Sequence, residues 1–436
     1  MRNRVLFILT ALAVLFLQGC VAGPMKAHPL AVDPGPGPTR APVVAMIDSG
    51  INPYHVSLAA QGREPWRAIL DANTTVIQLS NSGSYEDRIA QDANVWAAMK
   101  SGELYAFSGT RTASMSFLHD SARRVLDPVG HGSEMSSILA REVPNATILM
   151  LQVDGTSCHD DQTGKCVIDR SLPDAMSWAA KQPWIDVITV SIALPANVPT
   201  PLAATPEGQA YVAASRLAAA NGKLVVSASG NYVAPPATNF FAGPPWIIAV
   251  GGAEGSQNGS SPSAGQIVDV VANFTDRTAR PGTINETFYS SGTSIATPLV
   301  AGNLARTIEI LREHLGGVPV DTRLGLAIGS INGQRVLIDA KQVRDAMNET
   351  ARVWGAADWN PVSPPSDDPV RNLLVQTVPV VSPWQVGWGY VDGSLPAAAS
   401  QFILDHRSEI PPGKSEAASN QQRMQEAREM FWRNWI

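Results

Sequence analysis

Val43-Val44-Ala45-Met46-Ile47-Asp48-Ser49-Gly50 joins a run of apolar residues to an acidic turn. An unbroken apolar run is what a parallel strand buried on both faces requires. A carboxylate directly after it stands where parallel sheets collect functional groups, outside the carboxyl ends of their strands. Similar runs recur at Ile148 to Val153, Val187 to Val190, Leu224 to Ala228 and Trp246 to Val250. Helix-like segments lie between them, for example the Ala-rich stretch Glu207 to Ala220. This β-α-β rhythm predicts an α/β fold of three layers, a mostly parallel central sheet flanked by helices, with right-handed crossovers.

A chain of 436 residues, 44% apolar and 16% charged, has the composition of a folded globular protein, and its 35 Gly and 33 Pro imply many tight turns. The formal charge of 32 minus 38, or -6, comes without a Lys/Arg cluster able to track a phosphate backbone. Nucleic acid is therefore not expected as a partner.

The N-terminus reads as an export signal. Arg2 and Arg4 precede an apolar stretch from Val5 to Leu17, short for a membrane span and suited to a secretory core segment. Leu17-Gln18-Gly19-Cys20 follows, and it resembles the lipobox of bacterial lipoproteins. That resemblance implies a signal peptide over 1–19 and lipidation of Cys20, which would hold the protein at the cell envelope, outer membrane or cell surface. An ordinary signal peptide with a chance Cys is the plainer alternative. Residues 20–42, with Pro34-Gly35-Pro36-Gly37-Pro38 at the centre, read as an extended tether. Cys158 and Cys166 remain as an even pair in one polar loop, read as a disulfide. A metal site using the adjacent His159, Asp160 and Asp161, or a pair of free thiols, are the alternatives.

The central domain spans 43–406. Within it, residues 58–128 break the β-α rhythm, with a helix expected from Glu86 to Lys100, and read as an insertion near the site. Residues 407–436 form a C-terminal extension expected to carry a helix with Met430, Phe431, Trp432 and Trp435 towards its end.

Four short motifs carry candidate chemistry. Asp48-Ser49-Gly50 alone is also a common turn. Gly130-His131-Gly132-Ser133 opens a segment in which Met135, Ile138 and Leu139 share one helical face, so His131 is expected at a helix N-terminus. His55 and His119 compete with it, but the flanking glycines allow substrate to approach the backbone at His131. Ser229-Gly230-Asn231 ends a strand, where a side-chain amide can donate to developing negative charge. Gly292-Thr293-Ser294-Ile295-Ala296-Thr297-Pro298 puts a serine among small neighbours at a helix start, with Pro298 expected in the first turn. A helix-capping serine would explain Ser294 but not the whole heptapeptide.

Together the four motifs resemble the subtilisin-like serine peptidases (subtilases), in that family's order of Asp, His and Ser. Spacings of 100 residues from His131 to Asn231 and 63 from Asn231 to Ser294 fit a compact core, while the 83 from Asp48 to His131 are long. Gln342 to Met347 and Gly387-Trp388-Gly389-Tyr390-Val391-Asp392 resemble the family's late segments, extending the likeness over most of 42 to 406. The resemblance implies a serine endopeptidase acting on protein or peptide substrates. Asp48, His131 and Ser294 would be its triad, Asn231 would complete its oxyanion hole, and Ser191-Ile192-Ala193 would pair with substrate. No cofactor is expected; relatives often bind structural calcium, but no ligand set can be assigned here. A catalytically silent binding lipoprotein on the same fold is the rival reading, and an esterase lacks the expected Gly-Xaa-Ser-Xaa-Gly elbow around Ser294.

Two departures stand out. Residues 21 to 47, 27 in all, are too few for the folded propeptide usual in the family, so activation by its removal is not expected. Ala193 stands where the family commonly has Gly, and its methyl is expected to narrow the specificity pocket.

Overall fold

A computed structural model describes residues 40–68, 74–118, 125–154, 159–160, 166–193, 204–231, 239–253, 268–319, 321–352 and 387–406, with backbone alone at 159–160 and 166–167. The elements run β1 (Val43–Asp48), β2 (Thr75–Ile77), α1 (Tyr85–Gln91), α2 (Ala93–Ala98), β3 (Leu104–Phe107), β4 (Thr112–Ser116), α3 (His131–Glu142) and β5 (Thr147–Gln152). After the short pair β6 (His159–Asp160) and β7 (Cys166–Val167) come α4 (Ser171–Lys181), β8 (Val187–Val190), α5 (Pro206–Ala220), β9 (Leu224–Ala228), β10 (Ile248–Ala253) and β11 (Val270–Asn273). The hairpin β12 (Thr275–Ala279) and β13 (Thr287–Ser291) leads into α6 (Thr293–Leu315), followed by β14 (Gly316–Gly317), β15 (Ala327–Ile331), β16 (Gln334–Ile338), α7 (Ala340–Thr350) and α8 (Leu395–His406).

The nine-stranded sheet has the order β11-β10-β9-β8-β1-β5-β4-β3-β2. Every neighbouring pair in it is parallel except β3 with β4. From β1 the chain first builds β2 to β5 on one side, with β5 beside β1, and then crosses to β8 on the other. The carboxyl end of β1 is thus a topological switch point, the usual place for a crevice, and Asp48 is its last residue. The segment 58–128 contributes β2, β3 and β4 and so builds one edge of this sheet.

Alternation along the strands makes the three layers. Val44, Met46, Ile148, Met150 and Val226 face α3 and α6 through Met135, Ile138, Leu304 and Ile308. Val43, Ala45, Ile47, Leu149 and Ile188 face α4 and α5 through Leu172, Met176 and Tyr211. Each such fully buried aliphatic side chain contributes on the order of 1.5–3 kcal/mol relative to exposure. Beneath the strands' amino ends the Asp186 carboxylate is fully buried; Arg312 donates to both of its oxygens at 2.6 and 3.1 Å, and Arg40 and the Val43 N–H add to it. This ion cluster ties the start of β1 to α6 at the end of the sheet opposite Asp48.

One expected helix is divided. In place of a single helix over 86–100, α1 and α2 meet at Asp92. Its buried carboxylate accepts from Tyr54 Oη at 2.8 Å and from the Ser80 N–H and hydroxyl at 2.8 and 2.7 Å, bonds that outweigh helical continuity. Residues 1–39, 155–158 and 407–436 lie outside the described residues, and with them Cys20, Cys158 and the expected C-terminal helix. Cys166 is described only as backbone in β7, which pairs antiparallel with β6. Among the described residues no helix is long and apolar enough to cross a membrane.

Candidate active site

Asp48 is 1% exposed, and its Oδ1 accepts from the Ser49 N–H at 2.7 Å. The same oxygen is 2.8 Å from Nδ1 of His131, the first residue of α3. A carboxylate there fixes the imidazole with its proton on Nδ1 and turns Nε2 outward. Burial by itself lowers the His131 pKa, but the Asp48 charge and hydrogen bond, with Glu134 and Asp127 behind them, raise it to about 9. Glu134, one turn further along α3, is itself pushed up by burial, against the opposing effects of its bond to Ser290 and the His131 charge.

The meeting of β1 and α3 depends on glycine. A Cβ on Gly132 would sit 2.2 Å from the Gly50 carbonyl oxygen, so this approach requires glycine at 132. Gly130 precedes α3 at φ 92° and has no side chain with which to cap it. Asp127 supplies the cap instead. Its Oδ1 accepts from the N–H groups of Val129 and Gly130 at 3.2 and 2.7 Å and from Ser49 Oγ at 2.8 Å. Its Oδ2 accepts from the Ser133 N–H and hydroxyl, both at 2.7 Å. Ser49 Oγ in turn accepts from the Gly132 N–H at 3.0 Å, linking the end of β1 to the first turn of α3. The buried Gln152 amide holds the preceding chain by donating to the Ser49 and Leu126 carbonyls at 3.1 and 2.8 Å and accepting from the Val125 N–H. Sequence reasoning missed Asp127 and Gln152. The Asp-Pro turn signal just before Gly130 was the available pointer to Asp127.

Ser294 is the second residue of α6 and half-buried. Its hydroxyl donates to the Ser191 carbonyl at 2.8 Å, and the Ser191 hydroxyl donates to the Ser294 carbonyl at 3.3 Å. Pro298 is the sixth helical residue, one turn later than the sequence suggested. The N–H it lacks is the one that would have bonded to the Ser294 carbonyl, which is why that oxygen can take a bond from Ser191. Ser191 and Ile192 are buried and Ala193 is half-buried, directly after β8. The Asn239 amide secures this segment by donating to the Ile192 and Ala228 carbonyls at 3.1 and 2.8 Å.

Asn231 is exposed three residues beyond β9. Its Oδ1 accepts from the Thr293 N–H and hydroxyl at 2.8 and 2.9 Å, so its NH2 group faces the other way. A Cβ on Gly292 would lie 3.2 Å from Asn231 Nδ2 and 3.6 Å from the Ser294 nitrogen. The Asn231 amide and the Ser294 backbone nitrogen therefore flank one small space at the start of α6, and it is open because residue 292 is glycine.

The competing His55 is buried, with Nε2 on the Glu286 carbonyl at 2.9 Å and Nδ1 on Ser57 Oγ at 2.8 Å. A carbonyl only accepts, so the proton sits on Nε2 and both nitrogens are committed to structure. His119 lies outside the described residues. Among the described residues no group of three or more His, Cys, Asp or Glu side chains could hold a metal ion.

The subtilase family profile matches residues 39–360. The chain belongs to the subtilase family. Comparison with curated proteins finds no match. Among solved structures, the chain is similar to a lanthipeptide protease (19% identity, 84% of this chain and 89% of that chain, TM-score 0.47). It is also similar to the prenylagaramide maturation protease PagA (16%, 84% and 94%, TM-score 0.46) and to the PatG macrocyclase domain (16%, 84% and 93%, TM-score 0.47).

Proposed function

We propose that this subtilase is an active serine endopeptidase that cleaves protein or peptide substrates through an acyl-enzyme. The carrying observation is the 2.8 Å bond between the buried Asp48 carboxylate and His131 Nδ1, which leaves Nε2 as the base. Ser294 Oγ attacks the scissile carbonyl and its proton passes to His131 Nε2. The C–N bond breaks as His131 returns that proton to the leaving amine, and water then repeats the sequence on the ester. Asp48 stabilises the imidazolium formed in both halves. Asn231 Nδ2 and the Ser294 N–H would receive the oxyanion, and the segment Ser191–Ala193 would pair with the acyl side of the substrate.

A catalytically silent binding protein draws support from one observation, that the Ser294 hydroxyl bonds to Ser191 rather than to His131. Catalytic hydrogen bonds often form fully only once substrate is bound, and rotation about one side-chain torsion redirects this hydroxyl. A substrate strand lying on the Ser191 carbonyl would compete for the same oxygen and release it. Labelling with a serine-directed fluorophosphonate separates the two readings. The peptidase labels at Ser294, and the silent protein does not.

The proposal extends to location. The Arg2 to Cys20 signal supports export and a lipid anchor at the bacterial cell envelope, and an oxidising compartment suits a Cys158–Cys166 disulfide. Mass spectrometry of the mature protein tests both, through an acylated Cys20 and a peptide pair released by reduction.

A further inference from the structure

A cavity behind the histidine-bearing helix holds positive charge that the chemistry above does not use. It has a volume of about 700 Å³ and lies between residues 56–61, the later turns of α3 and the β12–β13 hairpin. Arg111, Arg141 and Arg277 line it, together with Ser57 and Thr287, and no acidic residue does among the described residues. In a chain of net charge -6 this is a local reversal of sign.

The three arginines differ in how their charge is met. Arg141 pairs with Asp276 and Glu142. Arg111 is 2% exposed and among the described residues donates only to carbonyls: to Ala59 at 2.9 and 3.3 Å, to Ala140 at 2.9 Å and to Pro144 at 2.5 Å. Carbonyls satisfy its N–H groups without cancelling its charge, and burial lowers its pKa with no carboxylate opposing. Arg277 is exposed, bonds through Nε to Thr287 Oγ1 at 2.5 Å, and makes no ion pair among the described residues. The cavity therefore presents a buried and an exposed guanidinium, both without a counter-ion among the described residues.

We propose that this cavity is an exosite for an acidic side chain of the polypeptide substrate, on the leaving-group side of the scissile bond. The inference rests on the peptidase reading and adds a substrate preference to it. Ser137 and Arg141 follow His131 by six and ten residues on one helix. That is roughly 9–15 Å along the axis. An extended peptide covers this distance in about three to five residues. The acyl side of the substrate is assigned to Ser191–Ala193. The cavity instead adjoins the later turns of α3 and the start of the hairpin strand that leads into Ser294, so substrate reaches it by running from His131 down α3, a path we assign to its leaving half. A guanidinium takes a carboxylate in a forked pair, which is weak alone at a surface but effective when the rest of a bound chain holds the acid nearby.

Two measurements keep the cavity and the chemistry separate. In the first, inert Ser294→Ala protein is titrated with fluorescein-labelled hexaglutamate and hexaglutamine. Hexaglutamate is expected to bind more tightly, and Arg277→Gln to weaken it roughly fivefold. Equal binding of the two peptides, insensitivity to Arg277→Gln, or inorganic phosphate binding as tightly as hexaglutamate would each overturn the exosite. In the second, the active enzyme is profiled on a peptide library. Asp and Glu are expected to be enriched at the third to fifth leaving-side positions, with the enrichment lost in Arg277→Gln. No enrichment, or enrichment that survives the substitution, contradicts the substrate assignment. Arg277-dependent binding without any cleavage would leave the cavity standing as an acidic-peptide site and remove the peptidase reading.

Discussion

Ser191 and Ser294 exchange hydrogen bonds across the end of the sheet, each hydroxyl donating to the other residue's carbonyl, at 2.8 Å from Ser294 and 3.3 Å from Ser191. The second bond exists because Pro298 removes the helical donor to the Ser294 carbonyl. Ser191→Ala is therefore expected to destabilise the fold by about 1 kcal/mol. The loss should shrink in a Pro298→Ala background, where an N–H is restored. Urea denaturation of the two single variants and the double variant, read as a double-mutant cycle, cancels the separate effect of proline on the unfolded chain.

The acid limb of activity should report His131. With its pKa raised from 6.5 to about 9, mainly by Asp48 acting against burial, kcat/KM is expected to climb as pH rises through about 9. Asp48→Asn should move the limb to lower pH and lower kcat by about 10⁴-fold, the scale seen when a triad loses this carboxylate. The sign for stability is opposite. A histidine whose folded pKa is raised contributes stability that is full below about pH 6.5 and lost as pH rises through about 9. Thermal unfolding across that range, with and without Asp48, checks it.

Asn231 makes a narrower prediction. Its Oδ1 is held by Thr293 while its Nδ2 faces the space beside Ser294, so Asn231→Ala should lower kcat about 10²–10³-fold and leave KM nearly unchanged. That range, about 2.7–4 kcal/mol, is the one measured for such a donor in subtilisin. An equal rise in KM would mean that Asn231 serves ground-state binding instead.

Asp127 is a positioning residue. Asp127→Ala removes the acceptor for Val129, Gly130, Ser133 and Ser49 and should cost about 1–3 kcal/mol of stability, seen by denaturant titration. A purely structural role would stop there. Because its charge also helps raise the His131 pKa, the acid limb of kcat/KM should shift downward in Asp127→Asn, which keeps the shape and loses the charge.

Much of this molecule was legible in its sequence, for physical reasons that differ from one residue to the next. The strand ending at Asp48 announced itself because a parallel strand buried on both faces needs an unbroken apolar run. By contrast β4 reads as polar, yet Thr112, Ser114 and Ser116 are fully buried there between β3 and β5. It pairs locally with β3, but its other edge pairs with β5 through residues 36 positions away, which local pattern does not encode. The break at Asp92 is likewise tertiary, since it depends on Tyr54, 38 residues away, whereas Asp127 caps residues two, three and six positions on and is tertiary only in its bond to Ser49. Pro298 was recognised as a helix-start residue, but its position and therefore its effect on the Ser294 carbonyl became readable only in three dimensions.

The central claim is that Ser294 is a nucleophile activated by His131 and Asp48. The most direct measurement is fluorophosphonate labelling of the purified protein, followed by peptide mapping and a casein-cleavage assay on the same sample. The account predicts one modified residue, Ser294, and loss of both labelling and cleavage in Ser294→Ala. A folded wild-type protein that neither reacts with the probe nor cleaves casein, or that reacts at another serine, would contradict it.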